Sequence, residues 1–380
     1  MSPKQLYQAI RDAVITLRLS GKCRRYGLST GPAVLRHLHL CREYQYDPIE
    51  AFRLGIFNPE FDMACLNEFL SRKKTTTLQR LLNPPALAPL FKNKMIFYQN
   101  CISCGLPIPR LYGLFSHMSR TMHSNCNGLL MPVIDKEAFV ASLPIQFAIK
   151  PVDRSLGEGL RIMTRTSGGF ADHRGVVYDT RRFLSLLANT SCNGTLMQEV
   201  VENHPDITSF SGVGGLQTVR VITLVGLDSR VEILTAFFKT ITSLNIVIDT
   251  YIDGLGGNLE VVVNPADGVL VEACYLDGEG SGIVVVDNHP VTGKPFEGFV
   301  IPCWPQVCEL ARQAALAAVP ARTIGWDIAV TAKGPCLIEG NIWWNPPNQH
   351  RVMARMSRQM SAVISRLYDD SNTSAQPLRK

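Results

Sequence analysis

The sequence predicts an α+β protein with a mainly helical N-terminal region. Apolar residues recur at helical spacing from the start, at Leu6, Ile10, Val14 and Leu17, and strand-like alternation is scarce before about residue 145. Beyond that point short apolar runs alternate with turns, as in 217–225 and 231–239 around Gly226-Leu-Asp228. Near the C-terminal end, the apolar runs 328–330 and 336–338 flank Lys333-Gly334, the layout of a β-hairpin with a short glycine turn.

A chain of 380 residues has the length for two or three domains with buried cores. No run approaches the uncharged apolar length of a membrane span, and Arg11, Asp12 and Arg18 stand where the apolar part of a signal peptide would be, so a cytoplasmic protein is expected. Eleven irregularly spaced cysteines read as reduced thiols, including the single Cys101-x-x-Cys104 pair. Residues 1–94 hold 15 Lys or Arg against 7 Asp or Glu, so the net charge of +6 belongs to the N-terminal quarter. No nucleic-acid motif accompanies that surplus, and no nucleic-acid partner is expected. A solvated helical surface accounts for it; a basic amphipathic first helix can also rest weakly on an anionic membrane surface.

In chain order, helices are expected over 3–18, 33–42, 60–70 and 76–90, the last interrupted by Pro84-Pro85, which lacks the amide donor a helix interior needs. Asn93-Lys94 opens another helix, ended by Gly105. A short strand over 145–150 carries Lys150 at its end. It leads through Ser155, Gly157 and Gly159 to a second strand, and such a loop can bring backbone amides close to phosphate oxygens or be an ordinary hairpin turn. The strand beginning at Thr195 exits through Glu199, Val201, Glu202 and His204-Pro205, either a plain strand-to-loop junction or a connector between lobes. Arg220 is the one charge inside its apolar run and calls for an anion, whether a ligand's phosphate or carboxylate or a structural partner. Strands at 259–263 and 269–274 and helices at 302–318 and 347–368 complete the chain, with 369–380 polar and frayed.

Side chains alternate faces along a strand, so Glu339 and Asn341 share a face, and Asp327 on the partner strand can lie opposite them. Two carboxylates and an amide at one spot suit a hard cation such as Mg²⁺, which takes oxygen donors and keeps substrate phosphates in its shell. The bland alternative is a surface hairpin with solvated acids.

Taken together, a lysine at a helix start, a strand lysine before a glycine loop, an acidic connector, a strand arginine and an Asp…Glu-x-Asn hairpin resemble the ATP-grasp superfamily over roughly 91–368. The wording Asp249-Thr-Tyr-Ile-Asp-Gly-Leu-Gly-Gly-Asn258, His289-Pro-Val-Thr-Gly293, Ile301-Pro-x-Trp304 and Gly325-Trp-Asp…Glu339-Gly-Asn341 is similar to its sugar-transfer-associated group, related to α-L-glutamate ligases. The resemblance implies an ATP-grasp fold, two α+β lobes clamping ATP, with a helical preface at 1–90, a lobe at 91–203 and a second at 204–380. It implies an ATP- and Mg²⁺-dependent ligase that joins a carboxylate to an amine through an acyl phosphate, with a sugar or glycolipid precursor as the acid. A small-molecule kinase or a non-catalytic ATP-binding subunit on the same fold are the alternatives.

Carried over by position, Lys94 and Lys150 reach the nucleotide phosphates, Ser155, Gly157 and Gly159 cover them, and Glu199 and Val201 lie beside the adenine. Glu202 or His204 meets the ribose, Asp327, Glu339 and Asn341 hold the metal, and Arg220 faces the phosphate or acyl-phosphate oxygen. Some members of the superfamily carry an arginine where this chain has Gly325, and many begin with a β-α-β domain unlike the helical preface seen here.

Overall fold

The computed structural model describes residues 3–374 apart from 24–26, 57, 59–60, 62–65, 67–69, 117–120, 125–129, 134, 156, 192, 245–257, 277–281 and 348–349. The expected helix at 60–70 and the wording at 249–257 therefore lie largely outside the described residues.

Four helices come first: α1 (Pro3–Lys22), α2 (Thr30–Glu43), α3 (Pro48–Arg53) and α4 (Arg72–Leu82). Asp47 starts α3 with a capping box, its carboxylate accepting from the Ile49 N–H while Glu50 reaches back to the Asp47 N–H. A short 3₁₀ turn at Pro85–Leu87 follows Pro84, and then come α5 (Ala88–Lys92) and α6 (Lys94–Ser103).

The first sheet contains β1 (Leu111–Phe115), β2 (Met122–Ser124), β3 (Leu130–Pro132), β4 (Gln146–Pro151), β5 (Arg161–Thr166), β6 (Gly169–Asp172), β7 (Val177–Tyr178) and β8 (Thr195–Gln198). Its order is β3-β2-β1-β8-β4-β5-β6-β7, all neighbours antiparallel, with α7 (Lys136–Ser142) and α8 (Thr180–Thr190) packed against it. Strands β1 to β3 precede residue 145, where little alternation is legible. Two of them are only three residues long, and β1 places Gly113 at an inward position where a Cβ would sit 2.4 Å from the Met122 carbonyl oxygen.

After α9 (Pro205–Ser211), the second sheet is built from β9 (Thr218–Val225), β10 (Val231–Thr240), β11 (Leu259–Val263), β12 (Leu270–Leu276), β13 (Ile283–Val286), β14 (Thr323–Thr331) and β15 (Gly334–Asn341). Its order is β13-β12-β11-β10-β9-β14-β15. The helix α10 (Trp304–Ala317) lies before β14, and α11 (His350–Ser374) closes the chain, running past the expected end at 368 because a helix persists through polar residues once its backbone ladder is formed.

Both faces of this second sheet are covered, which is why its central strands are apolar on both sides. On one face α10 packs Val307, Leu310, Ala311 and Ala314 against Val219, Val221 and Ile328. On the other, Ile222, Leu224, Leu234 and Phe237 meet Met353, Met356 and Met360 of α11 together with Leu40, Phe52 and Leu54 of the helical region. One buried side chain fastens that region to the sheet: Asn83 donates to the Thr323 and Ile342 carbonyls and accepts from the Arg322 and Thr323 N–H groups. Gln79 adds a donation to the Trp344 carbonyl.

The apolar stripe of α1 faces outward. Leu6, Ile10, Val14 and Leu17 are 51–59% exposed, while Thr16 and Ser20 on the opposite side are buried. No helix among the described residues is long and apolar enough to cross a membrane.

Candidate active site

Between the two sheets lies a cleft of about 250 Å³ whose walls carry most of the charged residues singled out above. One wall belongs to the first sheet and the start of α6. Asn93 caps α6 by accepting from the Met95 and Ile96 N–H groups, which fixes Lys94 at the first helical position. The Lys94 N–H donates to the Val152 carbonyl, and its ammonium donates to the Arg154 carbonyl, so the helix start is tied to the glycine loop. Lys150 is the last residue but one of β4, which is buried from Phe147 onward, and its ammonium donates to the Tyr98 hydroxyl at 2.6 Å and lies over that ring. Tyr98 in turn donates to the Ile338 carbonyl of β15, which links the wall to the opposite sheet.

Burial pushes the Lys150 ammonium down to about 7; neighbouring Lys94 adds to the shift and Glu339 partly offsets it. Burial likewise lowers Lys94, against the pull of Glu339 and Asp153. In the loop, Gly157 and Gly159 have φ of +70° and +79°, and a Cβ on Gly159 would stand 2.8 Å from the Pro151 ring, so glycine is required there. Ser155 and Gly157 line the cleft; Gly159 is behind them, against Pro151.

The other wall is a patch of charge on one face of the second sheet. Register places Arg220 of β9 directly across from Asp327 of β14, Asp327 across from Glu339 of β15, and Lys239 of β10 across from Glu260 of β11. A register shift after Asp327 leaves Gly325 opposite Asn341. Arg220 grips Asp327 with both arms, Nε to Oδ1 at 2.8 Å and Nη2 to Oδ2 at 2.6 Å, and the Lys239 ammonium approaches Oδ2 at 3.1 Å. Burial alone would raise the Asp327 carboxyl, but Arg220 and Lys239 outweigh it and hold the group well below the usual carboxylate range.

Glu339 differs. Its side chain is 36% exposed to the cleft, Arg220 comes only within 4.0 Å, and crowding by the protein and by Asp327 raises its carboxyl against Lys239 and Arg220. Asn341 completes the group, with Nδ2 3.3 Å from Glu339 Oε1 and 3.5 Å from Asp327 Oδ2. Nδ2 also lies 3.4 Å from the Gly325 carbonyl, so the amide nitrogen faces three acceptors, and its oxygen would turn toward them only with a cation present to balance the charge.

This side-chain set fits a hard divalent cation: two carboxylates and the Asn341 amide converge, and the elevated proton affinity of Glu339 marks a carboxylate that an added cation would satisfy. The opposite wall, with two lysines and a glycine loop, fits a phosphate chain.

The remaining expected residues sit elsewhere. Glu199 accepts from the Arg110 N–H, and its own N–H donates to the Arg110 carbonyl. His204 caps α9 by accepting from the Asp206 N–H, while its N–H reaches the Val330 carbonyl. Neither of them, nor Val201 or Glu202, lines the cleft. Arg220 meets its anion inside the chain. Lys239, Glu260 and Arg154 line the cleft and Tyr98 holds Lys150 there, and none of these is singled out by sequence; Lys239 lies near the end of an apolar run, but its strand also carries Glu232.

The sequence matches the family model of the sugar-transfer-associated ATP-grasp proteins over residues 73–352. The chain belongs to this family. Its fold is accordingly the ATP-grasp fold, with a helical region before residue 72. Solved structures that it resembles include VanG D-Ala:D-Ser ligase from Enterococcus faecalis, at 12% identity and a TM-score of 0.40, covering 72% of this chain and 61% of that one. An L-amino acid ligase from Bacillus licheniformis aligns at 10% identity and a TM-score of 0.36, over 80% and 54% of the two chains. D-alanine–D-alanine ligase from Bacillus anthracis aligns at 11% and 0.38, over 78% and 77%. The chain spans less than two thirds of the length of the first two. No curated protein matches it.

Proposed function

We propose that this family member is an ATP- and Mg²⁺-dependent ligase that joins a carboxylate to an amine, releasing ADP and phosphate. The observation that carries the reading is the single cleft in which two lysines without a carboxylate partner among the described residues face Asp327, Glu339 and Asn341. In this reading 91–203 and 204–380 are the clamping lobes, with 1–90 as a preface.

Lys94 and Lys150 bind the nucleotide phosphates as point charges, and Ser155, Gly157 and Gly159 close over them. Glu199 and Val201 lie on the adenine side of the connector, with Glu202 or His204 toward the ribose. Asp327, Glu339 and Asn341 would hold Mg²⁺, which would supply positive charge to offset the negative charge on the phosphate oxygens. A carboxylate oxygen of the acid substrate attacks the γ-phosphorus, the bond to the β,γ-bridging oxygen breaks, and ADP leaves. The amine nitrogen then attacks the acyl carbon, the carbon–oxygen bond to phosphate breaks, and the nitrogen gives up a proton. Arg220 and Lys150 stabilise the negative charge that builds on the transferring group, a role Gly325 cannot take.

The family's association with sugar transfer supports an acid borne on a sugar or glycolipid precursor, with an amino acid or other amine added during polysaccharide biosynthesis in the cytoplasm. The outward stripe of α1, flanked by Arg11 and Arg18, supports weak contact with an anionic membrane surface.

The test is product release. ADP and free phosphate should form only when ATP, Mg²⁺, an acid and an amine are all present, and Glu339→Gln should abolish release while the far-ultraviolet spectrum is unchanged. Full activity in that variant sinks the metal assignment; phosphate retained on the product identifies a kinase instead.

A further inference from the structure

The chain that leaves the metal end of the cleft runs Ile342-Trp-Trp-Asn-Pro346, and its burial alternates. Ile342 and Trp344 are 2% exposed, whereas Trp343 is partly buried and Asn345 is exposed. The buried pair is fastened. The Ile342 carbonyl accepts from Asn83 at 3.1 Å, the Trp344 carbonyl accepts from Gln79 at 2.7 Å, and the Trp344 indole donates to the Thr323 hydroxyl at 3.2 Å. A Cβ on Gly325 would stand 3.0 Å from the Trp344 Cβ, so the glycine gives Trp344 its seat. Trp343 rests partly against the core, which holds its ring in place. Both Trp343 and Asn345 line the cleft, and neither side chain has a hydrogen-bond partner among the described residues.

We infer that Trp343 is the platform on which the acid substrate stacks, and that this acid is a sugar acid, a pyranose ring bearing a carboxylate. The inference rests on the ligase reading given above and names the residue that selects its acid. An indole offers a flat apolar face with one N–H donor at its rim. A pyranose is its complement, with C–H groups on a face and hydroxyls around the edge. Stacked on Trp343, the ring brings its hydroxyls to the indole N–H and the Asn345 amide, neither of which a hydrocarbon acid would use. Its carboxylate can then turn back toward Asn341, two residues away, and the middle of the cleft.

The adenine base is the other flat ring an indole could take, and the fold argues against it. Leu337 of β15 donates its N–H to the Pro107 carbonyl, and Arg110, three residues on, pairs with Glu199 of the connector. The connector thus flanks β15 near Leu337, while Trp343 lies past the end of the strand. Between Leu337 and Asn341 the strand advances about 13 Å. A nucleotide with its phosphates at the lysines and the metal group and its base at the connector leaves the Trp343 end to the acid.

The full-length protein is titrated with glucuronate, galacturonate and mannuronate, without nucleotide and again with Mg²⁺ and a non-hydrolysable ATP analogue, by calorimetry and tryptophan fluorescence. At least one uronate should bind about tenfold more tightly than gluconate, which carries a carboxylate and hydroxyls but no ring, and should change the fluorescence. Trp343→Ala should weaken that uronate by about tenfold, and Trp343→Phe, which keeps a flat face, by about threefold, with ATP affinity unchanged in both. Trp343→Phe should also remove the fluorescence change, because the reporting indole is gone. Asn345→Ala, at an exposed position, should cost about threefold.

No uronate binding above gluconate in either state, or uronate binding that both Trp343 variants leave unchanged, overturns the inference. A loss of ATP affinity in Trp343→Phe as large as the loss of uronate affinity also overturns it, since the indole would then be a platform for the base. Because the assay uses no turnover, it fails independently of the ligase reading. If Trp343-dependent uronate binding holds while no pair of acid and amine releases ADP, the ligase reading falls and Trp343 stands as a sugar-acid site. If the ligase is active but both Trp343 variants leave the acid's KM unchanged, the Trp343 assignment falls alone.

Discussion

The two walls of the cleft hold their charges differently. On the second sheet Asp327 is gripped by Arg220 and approached by Lys239, all three on neighbouring strands whose register sets them face to face. On the opposite wall Lys94, at the start of α6, and Lys150 of the first sheet point into the same space with, among the described residues, a backbone carbonyl and a tyrosine hydroxyl as their hydrogen-bond partners, and burial lowers both. The difference teaches where binding energy is held in reserve. The Asp327 wall is neutralised within the protein and is set before any ligand arrives. The lysine wall carries desolvated cations that gain most when an anion reaches them.

The sharpest way to break this contrast is to remove one central charge from each wall. Asp327→Asn leaves Arg220 and Lys239 desolvated beside an uncharged amide, so the fold should lose about 3 kcal/mol, read as a lower urea midpoint, and turnover should fall at least about 100-fold. Lys150→Met should cut turnover comparably, yet leave the fold no less stable, because it deletes a cation that burial already disfavours. Equal destabilisation by both variants would show that the walls are alike.

A second test uses pH. The folded-state value for Lys150 is depressed to about 7 from 10.5, so between these values the unfolded chain holds a proton that the folded chain has released. Unfolding then takes up a proton, and stability should rise with pH across that window; Lys150→Met should flatten the rise and should be more stable than the parent below pH 7. By the same logic, ATP phosphates would return the ammonium to its charged form. Calorimetry at pH 8 in buffers of different ionisation enthalpy should show proton uptake on ATP binding, lost in Lys150→Met. Absence of uptake in the parent would mean that Lys150 meets no phosphate.

Much of this site could be read without coordinates, for a reason that also explains the misses. That Glu339 and Asn341 share a face follows from the two-residue period of a strand, a local property; Asp327 comes opposite Glu339 only through the register shift next to it, because the hairpin register of Ile328 and Leu337 carried on would pair Asp327 with Ile338. Lys150 stood out as a lone charge ending an apolar strand. Lys239 shares its strand with Glu232 and does not stand out in that way, and its value comes from Asp327, which is distant in sequence and adjacent only through β9 and β14. Strands of three residues, such as β2 and β3, hold too little alternation to be seen. For α1, periodicity shows which residues share a face but not which face the protein covers, and its apolar stripe faces outward.

The smallest expected effect refines the contrast within the lysine wall itself. Arg154, in the glycine loop, is the cation there that does have a carboxylate partner: it donates to Glu158 four residues on, and both side chains are about half exposed or more. An exposed pair of this kind contributes at most about 1 kcal/mol to the fold, so Glu158→Gln should leave the urea midpoint nearly unmoved. The substitution releases the guanidinium to a ligand in the cleft that Arg154 and Glu158 both line. ATP should therefore bind about two- to fivefold more tightly, by the fraction of a kcal/mol that the exposed pair held, with the gain fading as salt is raised. If the variant binds ATP less tightly, Glu158 is shaping the loop and not restraining Arg154, and the reserve of the first wall lies in Lys94 and Lys150 alone.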